Sequence, residues 1–567
     1  MQRNYHLIRA LYRGEQFEDA VAVYDRLSSQ FEDPKWSAYF GAIALASRSQ
    51  LELDKFAQAK QLADTFLNLE ADTEKDADAL FGRAVACSHL KLFDETGGDL
   101  NRLLNDFPDD PQTWVAALQS AEVAWQQKEY AAAARFFKLA AQREEEPKLH
   151  LSALSGLAWS HYRLDEFEQA AARFNEIGNT YPDSDAARES SFMLAVSLRD
   201  AGKRNEAATS FLATYNDLEE RAKDAPGENV DRYLLESGRN YARLQMAGGN
   251  TKVADEMWGR LADQFSDNDK LDAILDEWAY VNLQAGQYER SDEIYRRLLD
   301  KFPEGRFAGQ ARLSLAESDM QADRLDQALR EFIEIAAHEK YRPAEKEAAL
   351  YHVVDIKAAK RQWLDVLKFG RTFAENYGES PLAPNVQLLY AEGLLDQQQT
   401  DDARKSLESL RTAVLDGQLK AEPWTERIWV VLAETALAEK RFADIDPIAA
   451  ELEKRNAKSR FLFQMRDVQG RRWKTQPEPD FAKARNYFAS VVSDEVGKGT
   501  ETAARCQFLI AETWLLEKNH QNAVKEYYRV YLNYAYDDWR VRGLFQAAGC
   551  EVLLNRPEAA RKSYSDL

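Results

Sequence analysis

The segment YPDSDAARESSFMLA, residues 181–195, places an aromatic–proline pair directly before a polar, alanine-rich run. Related segments begin at Phe107, Phe302 and Tyr377. Phe107 and Tyr181 are 74 residues apart, which is twice 37. Proline cannot continue a helix and shifts the residue before it out of helical geometry, so the pair is typical of a boundary between helices. Ser184 or Asp185 is a candidate N-cap for the helix that follows. The segment predicts a recurring helical hairpin.

The repeat unit can be aligned on the Phe167-x-x-Ala170 pair of DEFEQAAARF, residues 165–174. Equivalent markers occur at Phe17, Phe56, Phe93, Tyr130, Asn205, Thr251, Tyr288, Leu325, Trp363, Thr400, Phe442, Phe481, His520 and Pro557, most often 37 residues apart. A small residue usually follows the marker by three positions, an aromatic residue by seven, and a second small residue precedes it by nine. We expect two antiparallel helices that cross closely at the two small residues, with the aromatic side chain beside them.

Length and composition are consistent with an extended repeat array. A chain of 567 residues exceeds what one hydrophobic core usually supports. With 45% hydrophobic and 30% charged residues, the chain is expected to be ordered. The net charge of −21 argues against general nucleic-acid binding, which needs clustered lysine and arginine, and favours a basic protein or peptide partner.

The repeat resembles the tetratricopeptide repeat family in Leu157-Ala158 of the first helix, Ala170 and Phe174 of the second helix, and Pro182 after it. The unit is 37 residues long, whereas the family norm is 34. The resemblance implies an all-α, right-handed superhelical solenoid of about fifteen hairpins over residues 1–567. It also implies a concave groove that binds a peptide, a helix or another subunit.

The YPDSxxA restart is further similar to bacterial cell-envelope members of this family, the Tol–Pal coordinator and the lipoprotein of the β-barrel assembly machinery. That similarity implies a periplasmic or envelope location, with a cytoplasmic location as the alternative.

Irregular junctions are expected at residues 216–234, 412–424 and 474–480, where the spacing lengthens or polar residues separate the two helices of a unit. The array starts and stops without an evident polar cap, so both ends resemble truncations of a longer protein. Such a longer protein would have room for an anchor, a signal peptide or an enzyme domain outside residues 1–567, and the sequence does not decide between these.

Motifs that carry chemistry are absent from the sequence. There is no phosphate-binding loop and no HExxH, GxSxG or GxGxxG motif. The seven histidines include no pair three or four residues apart, and the three cysteines lack CxxC spacing. The longest apolar run, IWVVLAETALA from Ile428, falls short of the ~20 residues of a membrane span. We therefore predict no catalytic site, cofactor, metal or membrane span within this chain.

Two features suggest partner binding. In five repeats a glutamate directly follows the small residue that lies nine positions before the marker, in the first helix. In the proteins that this chain resembles this position faces the concave groove, and it is occupied here by Glu122, Glu317, Glu392, Glu434 and Glu512. These acids either bind a basic or amide-rich ligand or simply favour the helix on a solvated face. In EYYRVYLNYAYDDWRVR, residues 526–542, the candidate exposed anchors are Tyr528, Tyr531 and Tyr536, although some tyrosines of this segment must belong to the core.

The leading functional hypothesis is a non-catalytic scaffold for protein–protein interaction, possessing a preformed groove for a peptide, a helix or a subunit. One alternative is a structural element that self-associates through its terminal repeats into oligomers or filaments. Another is the regulatory arm of an enzyme whose catalytic domain lies outside the sequence.

Overall fold

The computed structural model describes residues 2–29, 37–69, 76–224 and 228–567. The chain is 79% helical, and the described residues contain no β-strand. Thirty α-helices follow one another there as consecutive hairpins, which confirms the predicted all-α repeat fold. In each hairpin the odd-numbered helix is the first helix and the even-numbered helix is the second.

The helices fall into two compact units, Met1–Ile294 and Tyr295–Leu567, with the boundary inside α16. The helices that begin in unit 1 are α1 Gln2–Arg13, α2 Phe17–Ser28, α3 Ser37–Glu52, α4 Phe56–Leu67, α5 Asp76–His89, α6 Phe93–Asp106, α7 Pro111–Gln126, α8 Tyr130–Ala140, α9 Pro147–Arg163, α10 Phe167–Thr180, α11 Asp185–Asp200, α12 Arg204–Asp224, α13 Glu228–Ala247, α14 Thr251–Gln264, α15 Leu271–Gln284 and α16 Tyr288–Lys301.

The helices of unit 2 are α17 Ala308–Gln321, α18 Leu325–Ala337, α19 Pro343–Ala359, α20 Trp363–Tyr377, α21 Ala383–Asp396, α22 Thr400–Leu415, α23 Arg427–Ala438, α24 Phe442–Arg455, α25 Leu462–Thr475, α26 Phe481–Val492, α27 Glu501–Leu516, α28 His520–Asn533, α29 Asp537–Leu553 and α30 Pro557–Ser565. A short 3₁₀ helix, Pro423–Glu426, precedes α23.

A residue in the left-handed conformation closes every hairpin but the thirteenth. In hairpin five, Asp165 has a φ of 59°, and the N–H of Glu166 donates to the carbonyl of His161 over 3.0 Å. This is the Schellman closure of a helix C-terminus. The equivalent left-handed residues are Glu15, Asp54, Lys91, Lys128, Gly202, Gly249, Gly286, Asp323, Arg361, Gln398, Lys440, Lys518 and Asn555. Only three of these residues are glycines, so glycine does not identify the turns in the sequence.

The two helices of a hairpin cross at the predicted pair of small residues. Ala158 in α9 and Ala170 in α10 have no exposed surface. In hairpin two, the hydroxyl of Ser47 donates to the carbonyl oxygen of Ala59 over 2.7 Å, so a side chain of α3 reaches the backbone of α4 directly. Such a close approach leaves no space for a larger side chain. The structure thereby confirms why small residues recur at these positions.

The boundary at residues 181–195 also agrees with the sequence prediction. Helix α10 ends at Thr180, before Tyr181 and Pro182. Ser184 is the N-cap of α11, because its hydroxyl accepts a hydrogen bond from the N–H of Ala187 over 3.1 Å. Asp185, the other candidate, is the first residue of α11. The aromatic–proline pair therefore marks the boundary between the second helix of one hairpin and the first helix of the next.

In hairpin six the repeat register differs by one residue from the prediction. The marker was expected at Asn205, but α12 begins at Arg204. This register puts Ala207 and Phe211, both without exposed surface, in the small and aromatic positions. The sequence was ambiguous because Ala207 and Ala208 both satisfy the Ala criterion.

At the expected junctions the structure contains several helical residues. Residues 216–234 include the end of α12 and the start of α13, which are 21 and 20 residues long, whereas Pro226 lies outside the described residues. Residues 412–424 include the end of α22 and the start of the 3₁₀ helix. Residues 474–480 connect α25 to α26. The extra residues of the junction at 216–234 thus lengthen α12 and α13.

First helices of neighbouring hairpins pack directly against each other, as α5 and α7 do in unit 1 and α23 and α25 do in unit 2. Within unit 2, a contact also joins distant hairpins. An Nη of Arg361, in the turn between α19 and α20, lies 2.7 Å from a carboxylate oxygen of Glu501 at the start of α27. The other oxygen of Glu501 accepts a hydrogen bond from the indole of Trp539 over 3.2 Å. Unit 2 therefore curves enough to bring hairpins ten and fourteen together.

Gly470 tests the close crossing in hairpin thirteen. A methyl group added there would lie 2.5 Å from the ring of Phe488, which has no exposed surface and cannot move aside. We expect Gly470→Ala to lower the free energy of unfolding by about 1–3 kcal/mol. Urea denaturation, followed by hydrogen exchange in α25 and α26, measures the change.

The matched control is Gly98→Ala in α6, where an added methyl group meets no atom within 4 Å. This substitution should raise the stability by up to about 1 kcal/mol, since alanine is the better helix former. Equal effects at the two positions would contradict the close-crossing explanation.

Candidate functional site

The acidic position predicted from the sequence lies on first helices throughout. Glu122 is on α7, and the other four glutamates are on α17, α21, α23 and α27 of unit 2. Sequence reasoning missed Asp355 on α19, which occupies the same position eight residues before the marker Trp363. It was missed because only glutamate was sought. We call the five acids of unit 2 the acidic row: Glu317, Asp355, Glu392, Glu434 and Glu512.

Glu122 differs from the acidic row. Its side chain is exposed and forms no hydrogen bond or ion pair with any residue that the structure describes. Burial of its surroundings nevertheless raises the pKa of its carboxyl. Glu122 is therefore a single acid on unit 1 and not part of a continuous row.

Glu392 lies at the centre of the acidic row and is its most buried glutamate. Its side chain is only 10% exposed, and Oε2 lies 2.7 Å from an Nη of Arg427 on α23. The other oxygen, Oε1, is buried and has no hydrogen-bond donor among the described residues. Burial, opposed by Arg427 and reinforced by Glu434, raises the pKa of Glu392 to about 7. This carboxylate is thus only half satisfied within the chain.

Next along the row, a network of charges joins three first helices. Arg471 on α25 pairs with Glu434 on α23 and also with Asp467, whose side chain has no exposed surface. Arg505 on α27 pairs with Asp467 as well. The thiol of Cys506 lies 3.2 Å from Oδ1 of Asp467, and burial raises its pKa. Two arginines therefore compensate the two carboxylates at this point.

The remaining row positions also have basic side chains as neighbours. Oε1 of Glu317 lies 3.3 Å from Nε2 of His352 on α19. Burial raises the pKa of Asp355, while His352 and Arg427 act in the opposite direction. Glu512 pairs with Lys474 on α25. The acidic row is consequently an alternation of acids and bases, whereas the sequence predicted a ladder of acids alone.

The three candidate tyrosines are partly buried and have intramolecular partners. The hydroxyl of Tyr528 lies 2.7 Å from the hydroxyl of Ser563. The guanidinium of Arg540 lies 5.0 Å from the ring centre of Tyr531, and the hydroxyl of Tyr536 donates to the carbonyl of Gly499 over 3.1 Å. These contacts reduce the aromatic surface that is free for a partner. A binding role for these tyrosines stays a prediction.

Other apolar side chains near the C-terminus are more exposed than these tyrosines. Leu532, in the same segment, is 73% exposed. On α29, Val541 and Phe545 are 52% and 53% exposed, and Phe545 contacts the ring of Tyr564 edge-on at 5.8 Å. Tyr564, seven residues after the marker Pro557, occupies the position where the repeat predicts a core aromatic residue, but it is 44% exposed.

Among the described residues, no three histidine, cysteine, aspartate or glutamate side chains are arranged to hold a metal ion. Over the same residues, every helix is too short or too polar to cross a membrane. The three cysteines are free and buried.

The stacked hairpins and their charged first-helix face define a helical-repeat protein. Residues 152–184 and 275–305 match the family model of the tetratricopeptide repeat. These ranges cover the hairpin of α9 and α10 and the hairpin of α15 and α16. The chain thus contains tetratricopeptide repeats, as the sequence resemblance predicted. No curated protein sequence matches the chain.

Several solved structures align with this chain over much of their length. Naa15/Naa10 bound to HypK-THB has a TM-score of 0.38 and 11% identity, covering 100% of this chain and 95% of that chain. The C-terminal part of a TPR repeat-containing protein from Cytophaga hutchinsonii has a TM-score of 0.34 and 13% identity, covering 48% and 98%. The Cut9–Hcn1 hetero-tetramer of the APC/C has a TM-score of 0.33 and 11% identity, covering 92% of each chain.

The raised pKa of Glu392 predicts a pH-dependent stability. The folded protein binds a proton at Glu392 more tightly than the unfolded chain does, because the pKa rises from 4.5 to about 7. This residue therefore contributes stability that is complete below about pH 4.5 and is lost as the pH rises through 7. Glu392→Gln cannot ionise, so relative to the wild type it should gain about 1–3 kcal/mol between pH 5 and pH 8.

Urea unfolding of both proteins at pH 5 and pH 8 measures this difference. Glu375→Gln, an exposed position in α20, serves as the control and should show no such gain. The same pH dependence in the wild type and in Glu392→Gln would show that the carboxyl of Glu392 titrates normally.

Proposed function

We propose that this protein is a non-catalytic scaffold that binds a peptide, a helix or a protein subunit along the first helices of unit 2. The observation that carries the proposal is the buried Oε1 of Glu392, which has no donor within the described residues. A buried acceptor without a donor costs about 1–3 kcal/mol. A backbone N–H or a lysine from a partner would supply the missing hydrogen bond.

The surroundings of Glu392 support the same proposal. The acidic row and its cationic neighbours run across consecutive first helices, from Glu317 on α17 to Glu512 on α27. Such partly buried charges are not required for core packing, because well-packed apolar residues are often at least as stabilising as buried ion pairs. These charges instead form a polar surface that a partner can contact over several hairpins.

The pairing pattern refines the expected partner chemistry. A bare row of acids would attract any basic peptide, whereas here Arg427 and Arg471 each pair with one carboxylate oxygen of Glu392 and of Glu434. A partner that carries groups of both signs, in matching order, fits this surface better than one that is uniformly basic. A place in a bacterial envelope complex stays a prediction that rests on the similarity of the YPDSxxA segment.

Replacing Glu392 and Glu434 together tests the proposal. Glutamine is also a good helix former, so Glu392→Gln with Glu434→Gln should leave the helicity nearly unchanged. Association with a partner recovered by crosslinking to the wild-type chain should slow about tenfold and become less dependent on salt, because two carboxylates of the contact surface are lost. Stopped-flow association with purified components at several salt concentrations is the measurement.

A matched control removes the same charge from second helices of unit 2. Glu375 in α20 and Glu453 in α24 are exposed, and neither forms an ion pair with the described residues. Glu375→Gln with Glu453→Gln should leave association unchanged. If both double variants behave like the wild type with every partner recovered, the first-helix face is only a solvated surface and the proposal fails.

A further inference from the structure

The second helices leave furrows that the first helices do not. In unit 2 the first helices α17, α19 and α21 pack on one another in sequence. Each second helix packs on the first helix before it and on the one after it, as α18 does on α17 and α19. Consecutive second helices are therefore held apart by the first helix between them. A furrow remains along this face, with the intervening first helix as its floor.

The furrow between α18 and α20 has an apolar floor and an apolar side chain on each wall. It encloses a cavity of about 480 Å³, and we call it the α18–α20 groove. Leu350 and Val353 of α19 form its floor and are buried, while Ile333 of α18 and Phe369 of α20 line its two walls. Ile333 is 37% exposed, and Phe369 on the other wall is half-buried. The groove thus presents apolar surface to solvent on both sides.

The charges at this groove are all positive. Lys346 of α19 and Lys368 of α20 line it, and no carboxylate does. Neither lysine forms an ion pair with any residue that the structure describes. The ammonium of Lys368 lies 5.1 Å from the ring centre of Phe369, which keeps the charge beside the apolar wall. In a chain with a net charge of −21, two free cations at a groove without acids form a distinctive surface.

The other furrows on this face differ in their charges. In the furrow between α22 and α24, Arg404, Arg411 and Arg441 all pair with carboxylates of the same region. Glu166 and Glu168 line the furrow between α8 and α10 in unit 1, where His161 already binds Glu166 over 2.6 Å. The arginines of the α22–α24 furrow are thus paired, and the α8–α10 furrow has lining residues of both signs. Unlike these two furrows, the α18–α20 groove is lined by lysines and by no carboxylate.

We propose that the α18–α20 groove is a docking site for an acidic amphipathic helix of a partner protein. A helix laid between two parallel ridges buries its apolar face on the floor and walls. Glutamate or aspartate on the flanks of that helix would pair with Lys346 and Lys368. This site lies on the second-helix face and is distinct from the acidic row on the first helices.

A synthetic peptide provides a direct probe. The peptide is an 18-residue amphipathic helix. Leucine occupies positions i, i+3, i+4 and i+7, which form one face, and glutamate occupies the positions that flank this face. A second peptide carries lysine in place of every glutamate. We expect the full-length protein to bind the glutamate peptide in fluorescence anisotropy, and to bind the lysine peptide at least tenfold more weakly, at the same ionic strength.

Two charge-reversal variants locate the binding. Lys346→Glu with Lys368→Glu should weaken binding of the glutamate peptide at least tenfold. The control, Lys454→Glu with Lys525→Glu, changes the net charge equally at exposed lysines of α24 and α28 and should change binding less than twofold. If the groove variant loses helicity in circular dichroism, Lys346→Gln with Lys368→Gln replaces it and should weaken binding at least threefold.

Each other outcome overturns the assignment. If the wild type does not bind the glutamate peptide, the groove is not a helix site. If both charge-reversal variants weaken binding equally, attraction by overall charge explains the effect. If vesicles of phosphatidylglycerol bind through Lys346 and Lys368 while the peptide does not, the groove recognises lipid. Glu392→Gln with Glu434→Gln should leave peptide binding intact, which separates this test from that of the proposed function.

Discussion

The left-handed residue that closes all but one of the hairpins is the constraint on which the rest of the structure depends. At Asp165 and its equivalents, the chain reverses within a few residues, and the N–H of the following residue satisfies a carbonyl of the first helix. A reversal this short keeps the two helices antiparallel and in contact. Their crossing then falls at Ala158 and Ala170, where only small side chains fit. Turn and crossing together set how each hairpin meets the next.

The stacking gives the two faces of a unit different chemistry. First helices touch one another, so side chains at equivalent positions meet across hairpins and form rows. Acids and bases in these rows pair, as Glu434 and Arg471 do over successive first helices. Second helices are spaced apart, so side chains there line furrows and can lack partners, as Lys346 and Lys368 do. Each unit therefore presents rows of paired charges on the first-helix face and separate furrows, each with its own charges, on the second-helix face.

Much of the fold was predictable from the sequence, but much less of the candidate sites was. Small residues, aromatic residues and the proline pair recur at fixed spacing, because each hairpin meets the same packing requirement. The first-helix location of Glu392 followed from that register. Its ion pair with Arg427 did not, since the two residues belong to different hairpins and the repeat alignment treats each hairpin separately. Asp355 was overlooked for a simpler reason, a search restricted to glutamate.

The sequence alone determined the helical class, the repeat unit and most helix boundaries, because these depend on local preferences and on periodic burial. Tertiary structure decided which charges are compensated. It brought Arg505 beside Asp467 from 38 residues away, placed Arg361 against Glu501 from 140 residues away, and left Lys346 and Lys368 without acids. The physical reason is that Coulomb energy depends on distance and burial in space. Neither quantity can be read from the order of residues along one chain.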